Sequence, residues 1–109
     1  MALDLQSLTA SMLTAAKGPL EADWKTVQPY AQTQFTNIAQ QIVDIEAQLA
    51  EGTITQAQAS LLLDMQKNAS RAVLLTVEGI GLLAAQDAIN AALGAISAAV
   101  NGALKFPLL

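Results

Sequence analysis

The segment LEADWKTVQPYAQTQFTNIAQQIVDIEAQLA, residues 20–50, places an apolar side chain at every third or fourth position. At about 100° per residue, such positions fall on one face of a helix. The polar residues Lys25, Thr33, Gln40 and Asp44 fall on the opposite face. The pattern therefore predicts one long amphipathic helix. Its apolar stripe consists of Leu20, Trp24, Val27, Ala31, Phe35, Ile38, Ile42, Ile45 and Leu49.

One proline lies inside this helix, and a glycine marks its end. Pro29 lies on its polar side, so we expect a bend there and not a stop. Gly52 suits the left-handed residue that follows a helix, and Thr53 can cap the next one. A tight turn at residues 51–53 then returns the chain antiparallel to the first arm. The returning arm is predicted to meet the stripe through Ile54, Ala57, Leu61, Met65, Ala69 and Ala72.

These signals predict an all-α fold. A short N-terminal helix, with Asp4 as its cap, is followed by a long antiparallel helical hairpin that assembles into a helical bundle. The predicted helices cover residues 4–17, 20–50 and 54–105 of a single domain, 1–109. The one place where the returning arm could break is Gly79-Ile80-Gly81, because two glycines disfavour a helix there.

The last part of the chain, residues 82–105, is almost entirely Ala, Leu, Ile and Val apart from a thin polar stripe. A helix with so wide an apolar surface must be covered on several sides. Its alanines permit close approach between helices. We therefore predict an assembly interface and a polar stripe that sets its register. The interface comprises Ala84, Ala88, Ala92, Leu93, Ala95, Ile96, Ala99 and Val100, and the stripe comprises Asp87, Asn90, Ser97 and Asn101.

The composition argues against catalysis and several kinds of partner. Neither Cys nor His occurs, which removes thiolate and imidazole chemistry and the commonest transition-metal ligands. No catalytic, cofactor-binding or metal-binding residues are predicted, so we expect a protein that is not an enzyme. Five basic and nine acidic residues give a net charge of −4, which disfavours nucleic acid as a partner.

Two functions fit this pattern. The first is a self-assembling structural or scaffold protein, a homo-oligomer found in the cytoplasm or on a particle, because no signal peptide is evident. The second is a membrane-active or membrane-embedded protein in which residues 82–105 contact lipid or line a pore. Seventeen uncharged residues separate Asp87 from Lys105, and along a helix they span about 27 Å, close to the thickness of a bilayer core.

Overall fold

Helices dominate residues 3–109, the part of the chain that the computed structural model describes. The helices are α1 (Leu5–Ala16), α2 (Trp24–Glu51), α3 (Gln56–Leu74) and α4 (Leu82–Leu104), with a short 3₁₀ turn at Glu21–Asp23 before α2. No β-strand occurs among these residues. The predicted all-α fold is therefore confirmed.

The first helix begins where its sequence predicts. Asp4 is extended, and its carboxylate accepts hydrogen bonds from the backbone N–H and the hydroxyl of Ser7. The bond from the Ser7 backbone N–H satisfies a free donor of the first helical turn. Both bonds lower the pKa of the Asp4 carboxyl, because they stabilise its charged form. The apolar face of α1 is buried through Leu8, Met12 and Ala16.

The second helix is continuous through Pro29, as predicted. The middle of its apolar stripe, from Val27 to Ile45, is fully buried. The helix ends at Gly52, whose φ of 75° is left-handed and whose N–H donates to the carbonyls of Gln48 and Leu49. Glycine adopts this conformation without a Cβ clash, which explains why the helix ends here.

The cap of α3 lies two residues later than predicted. Thr55, not Thr53, accepts the backbone N–H of Gln58, while the Gln58 side chain accepts the N–H of Thr55. This reciprocal pair is a capping box. The Thr53 hydroxyl instead donates to the carbonyl of Gln48 at the end of α2. The threonine with a glutamine three residues later therefore starts the helix.

We expect Thr55→Ala to lower the free energy of unfolding by about 1 kcal/mol, because the N–H of Gln58 loses its partner. Chemical denaturation followed by circular dichroism measures this loss. The matched control is Thr53→Ala, which removes a hydroxyl that does not cap α3 and should cost less. A larger loss for Thr53→Ala would contradict the assignment of Thr55 as the cap.

The face of α3 that meets the core is not the one predicted. The buried residues are Ala59, Leu63, Ser70 and Leu74. The predicted residues Leu61 and Met65 are 60% and 59% exposed, and Ala57, Ala69 and Ala72 are exposed as well. Apolar residues occur on both sides of α3, so spacing alone could not choose between the two faces. The prediction selected the outer side.

The returning arm breaks at the glycines singled out in the sequence. Residues 75–81 separate α3 from α4. Gly79 has a left-handed φ of 94°, and a Cβ on it would lie 2.8 Å from Oδ1 of Asp23. Val77 and Ile80 are buried and hold this connection against the core. A continuous helix over 54–105 would be about 78 Å long, whereas the longest dimension is 42 Å.

The break lets α4 return to the rest of the chain instead of extending away from it. The most extensive contacts join α1 to α4 and α2 to α3, while α1 also packs on α2. Direct contacts between α3 and α4 are few. The helices of the chain thus bury much of the apolar surface that a two-arm hairpin would leave exposed. Because α3 and α4 contact each other little, a cleft remains between them.

Candidate interaction surfaces

Most of the predicted assembly residues lie inside the chain itself. Ala88, Ala92, Leu93, Ile96 and Val100 are buried, and Ala84 is partly buried. Only Ala95 and Ala99 are exposed. The contacts of α4 are chiefly with α1, so this apolar face is covered by another helix of the same chain. Of the predicted interface, a second molecule could reach Ala95 and Ala99 without opening the fold.

The predicted polar stripe divides into two parts. Asp87 and Asn90 are exposed, whereas Ser97 and Asn101 are partly buried. The Ser97 hydroxyl donates to the carbonyl of Gly94 in its own helix. The Asn101 amide donates to the carbonyl of Leu109 and accepts the N–H of the same residue, at 3.1 and 3.0 Å. Asn101 therefore holds residues 106–109 against α4, a role that the sequence pattern did not suggest.

The outer face of α3 carries large apolar side chains that no other helix covers. We call this set the outer stripe. Its members lie within an arc of about 80° around the helix, directly opposite the buried face. Leu61, Met65 and Leu75 are the large members; Leu75 is the C-cap residue directly after α3 and is 39% exposed. The outer stripe consists of Ala57, Leu61, Met65, Ala72 and Leu75.

The first turn of α4 extends the exposed apolar surface at one end of the molecule. Leu82 and Leu83 are 55% and 71% exposed. They follow α3 after only residues 75–81, so they lie at the same end of the molecule as Leu75. Two neighbouring exposed leucines present more apolar surface than the single exposed side chains that are normal on soluble proteins. The sequence interpretation did not single out these two leucines as exposed.

Charged and amide side chains border the outer stripe on one side. Asp64 and Lys67 form a loose ion pair at 3.9 Å. The Arg71 guanidinium donates to the Asn68 side-chain carbonyl at 3.1 Å. Both interactions are local to α3 and solvent-exposed, so they contribute little to stability and are free to exchange partners.

A cleft of about 500 Å³ lies between α3 and α4 beside these charges. A second, more apolar hollow of about 350 Å³ shares Lys67 and Asn90 with it and reaches Leu108. Asp64 is the one carboxylate among the lining residues, and it already faces Lys67. The cleft thus offers polar contacts but lacks a pair of carboxylates for acid–base chemistry. The residues that line it are Asp64, Lys67, Asn68, Arg71, Gln86, Ile89 and Asn90.

The same residues bear on metal binding and on membrane insertion. Within residues 3–109, no group of three or more acidic side chains is placed to hold a metal ion. One helix in this range, α4, is long and apolar enough to cross a membrane. However, 39% of its most apolar window is buried inside the fold, and core helices of soluble proteins also meet this criterion.

Comparison with family models, with curated proteins and with solved structures gave no significant match.

Proposed function

We propose that this protein is a non-enzymatic, self-assembling helical structural or scaffold protein that acts through apolar helix–helix interfaces. The observation that carries the proposal is the outer stripe of α3. Leu61 and Met65 are more than half exposed, although the opposite face of the same helix is packed in the core. In this role the protein acts in the cytoplasm or as part of a particle, with copies of itself as partners.

The energetics favour covering this surface. Burying one large apolar side chain completely is worth about 1.5–3 kcal/mol. Leu61 and Met65 lie on α3, and Leu75 is its C-cap residue. The fold already orders this backbone, so association does not have to order it. Three such side chains on one rigid face provide a substantial driving force for a helix to dock there.

The charges of the chain support a second copy of the same chain as the partner. A net charge of −4 disfavours nucleic acid, and the outer stripe is bordered by both signs of charge. A surface that contains an acidic and a basic residue can be complementary to a second copy of itself. We therefore infer that copies of this chain associate through α3.

We expect Met65→Asp to convert the oligomer into a monomer, because a charge in the middle of the stripe must be desolvated when the face is covered. Sedimentation in detergent-free buffer measures the mass. Asn37→Asp is the matched control, because Asn37 is an exposed polar residue on α2. Both variants should keep the helical circular dichroism spectrum of the parent chain. A monomeric parent chain would overturn the proposal.

A second candidate, a protein that binds or enters membranes through α4, is favoured by the length and hydropathy of that helix and by exposed Leu82 and Leu83. It requires α4 to leave its contacts with α1, or to meet lipid only through its outer side. Flotation with phospholipid vesicles distinguishes the two functions. Vesicle binding by the parent chain, with no oligomer in detergent-free buffer, would favour the membrane function.

A further inference from the structure

The outer stripe of α3 has the spacing of a coiled-coil seam. Leu61 and Leu75 of the stripe recur at seven-residue intervals with exposed Asn68, which lies in the same arc, and Met65 and Ala72 are also seven residues apart. The two series are offset by four and three residues, as are the a and d positions of a heptad repeat. A helix face with this spacing can pack against a second helix that lies nearly parallel or antiparallel to it. The outer stripe has this spacing and is exposed, so it fits such a partner.

Asp64 and Arg71 determine which of these two directions fits. Both precede an a position, Met65 and Ala72 respectively, so both occupy g positions on one flank of the seam. In a parallel pair, g residues face e residues of the partner, which here are uncharged Ala69 and Thr76. In an antiparallel pair, g residues face g residues. Asp64 of each copy then faces Arg71 of the other, which makes two symmetric ion pairs.

The same antiparallel register also matches side chains by size and polarity. When Asp64 lies beside Arg71 of the second copy, Leu61 lies opposite Ala72 and Met65 lies opposite Asn68. A large side chain thus meets a small or polar one in each layer. Asn68 lies next to the two-fold axis, where a buried amide fixes the register of paired helices. Such a contact is isologous, because each copy contributes the same surface.

From this placement we propose that two copies associate through α3 as an antiparallel, two-fold symmetric helix pair, centred near Gln66 and Lys67 and flanked by Asp64–Arg71 ion pairs. The proposal rests on the proposed function, since it specifies how the self-association occurs. It also explains why the two charges bordering the stripe have only weak, exposed partners within the chain.

Cysteine cross-linking tests the direction of the pair, and the parent chain contains no cysteine that would interfere. In the antiparallel register, Leu61→Cys alone cannot cross-link to itself, because the two copies of residue 61 are about 16 Å apart. Mixed with Ala72→Cys, it should give a disulfide-linked dimer under mild oxidation. Asn37→Cys, exposed on α2, gives the background from random collisions. Efficient dimerisation of Leu61→Cys alone would show a parallel pair and overturn the proposal.

Charge reversal tests the flanking ion pairs independently. Asp64→Arg should weaken dimerisation by roughly tenfold, because two arginines then face each other at both symmetric sites. The double variant Asp64→Arg with Arg71→Asp should restore the affinity of the parent chain. Sedimentation equilibrium measures the dissociation constant, and thermal unfolding of the monomer identifies any loss of fold. No restoration in the double variant would overturn the proposed register.

Different outcomes separate self-assembly in general from the antiparallel α3 pair. If the parent chain is monomeric in detergent-free buffer, the proposed self-assembly itself is wrong. If the parent chain is oligomeric but the Leu61→Cys and Ala72→Cys mixture gives no more than the background, self-assembly stands and the antiparallel α3 pair is wrong.

Discussion

Phe35→Asp is expected to unfold the protein. Phe35 is fully buried and is the largest such side chain, and it lies in the middle of the apolar stripe of α2. Truncating a buried phenylalanine typically costs about 3–5 kcal/mol, and an unpaired buried charge adds to that loss. The sum is comparable to the whole stability of a typical domain, about 5–15 kcal/mol. Circular dichroism should show loss of most helical signal at room temperature.

The matched control is Asn37→Asp, which introduces the same charge two residues away on an exposed position of the same helix. We expect a change in unfolding free energy within about 0.5 kcal/mol for this variant. If Phe35→Asp and Asn37→Asp melted at the same temperature, the stripe of α2 would not be the core of the fold.

The contrast between α2 and α3 explains why one face was predictable and the other was not. In α2 the large apolar residues, such as Phe35 and Ile42, lie on one side, and polar residues fill the other. In α3 an apolar series occurs on each side: Leu63 and Leu74 face the core, and Leu61 and Met65 face outwards. Periodicity identifies a helix in both cases, but it identifies the buried side only where one side is apolar.

Which helix covers α4 depends on tertiary contacts, and local sequence patterns do not show these contacts. The glycines at 79 and 81 indicated where the helix could break, and the break is there. That α4 then packs mainly on α1 follows from how the connection directs it, with Gly79 against Asp23 and Val77 in the core. The sequence indicated that the wide apolar face of α4 needed a cover. It did not indicate that α1 provides it.

The sequence contains the candidate interaction surface, but helical spacing alone places it against the core. Leu61, Met65 and Ala72 fall on one face, and their spacing is also that of a heptad seam. Only their exposure in the folded chain separates the two interpretations. The positions of Asp64 and Arg71 beside the stripe indicate an antiparallel pair. This inference can be drawn only once the structure shows that the stripe is exposed.

Ala92→Leu is expected to destabilise the monomer by about 1–3 kcal/mol, because added methylenes in a closely packed core force neighbouring side chains apart. Ala92 is fully buried on the inner side of α4, the helix that packs most extensively on α1. For a domain of this size such a loss lowers the melting temperature by about 5–20 °C. Thermal unfolding followed by circular dichroism measures it.

The matched control for Ala92→Leu is Ala99→Leu, the same change on the same helix at an exposed position. It should leave both the melting temperature and the oligomer mass nearly unchanged, since residue 99 contacts neither the core nor the proposed α3 pair. If Ala99→Leu dissociates the oligomer while Ala92→Leu is tolerated, the outer side of α4, and not α3, forms the assembly interface. If Ala99→Leu instead strengthens vesicle binding, that side of α4 meets lipid, because leucine is favourable in hydrocarbon.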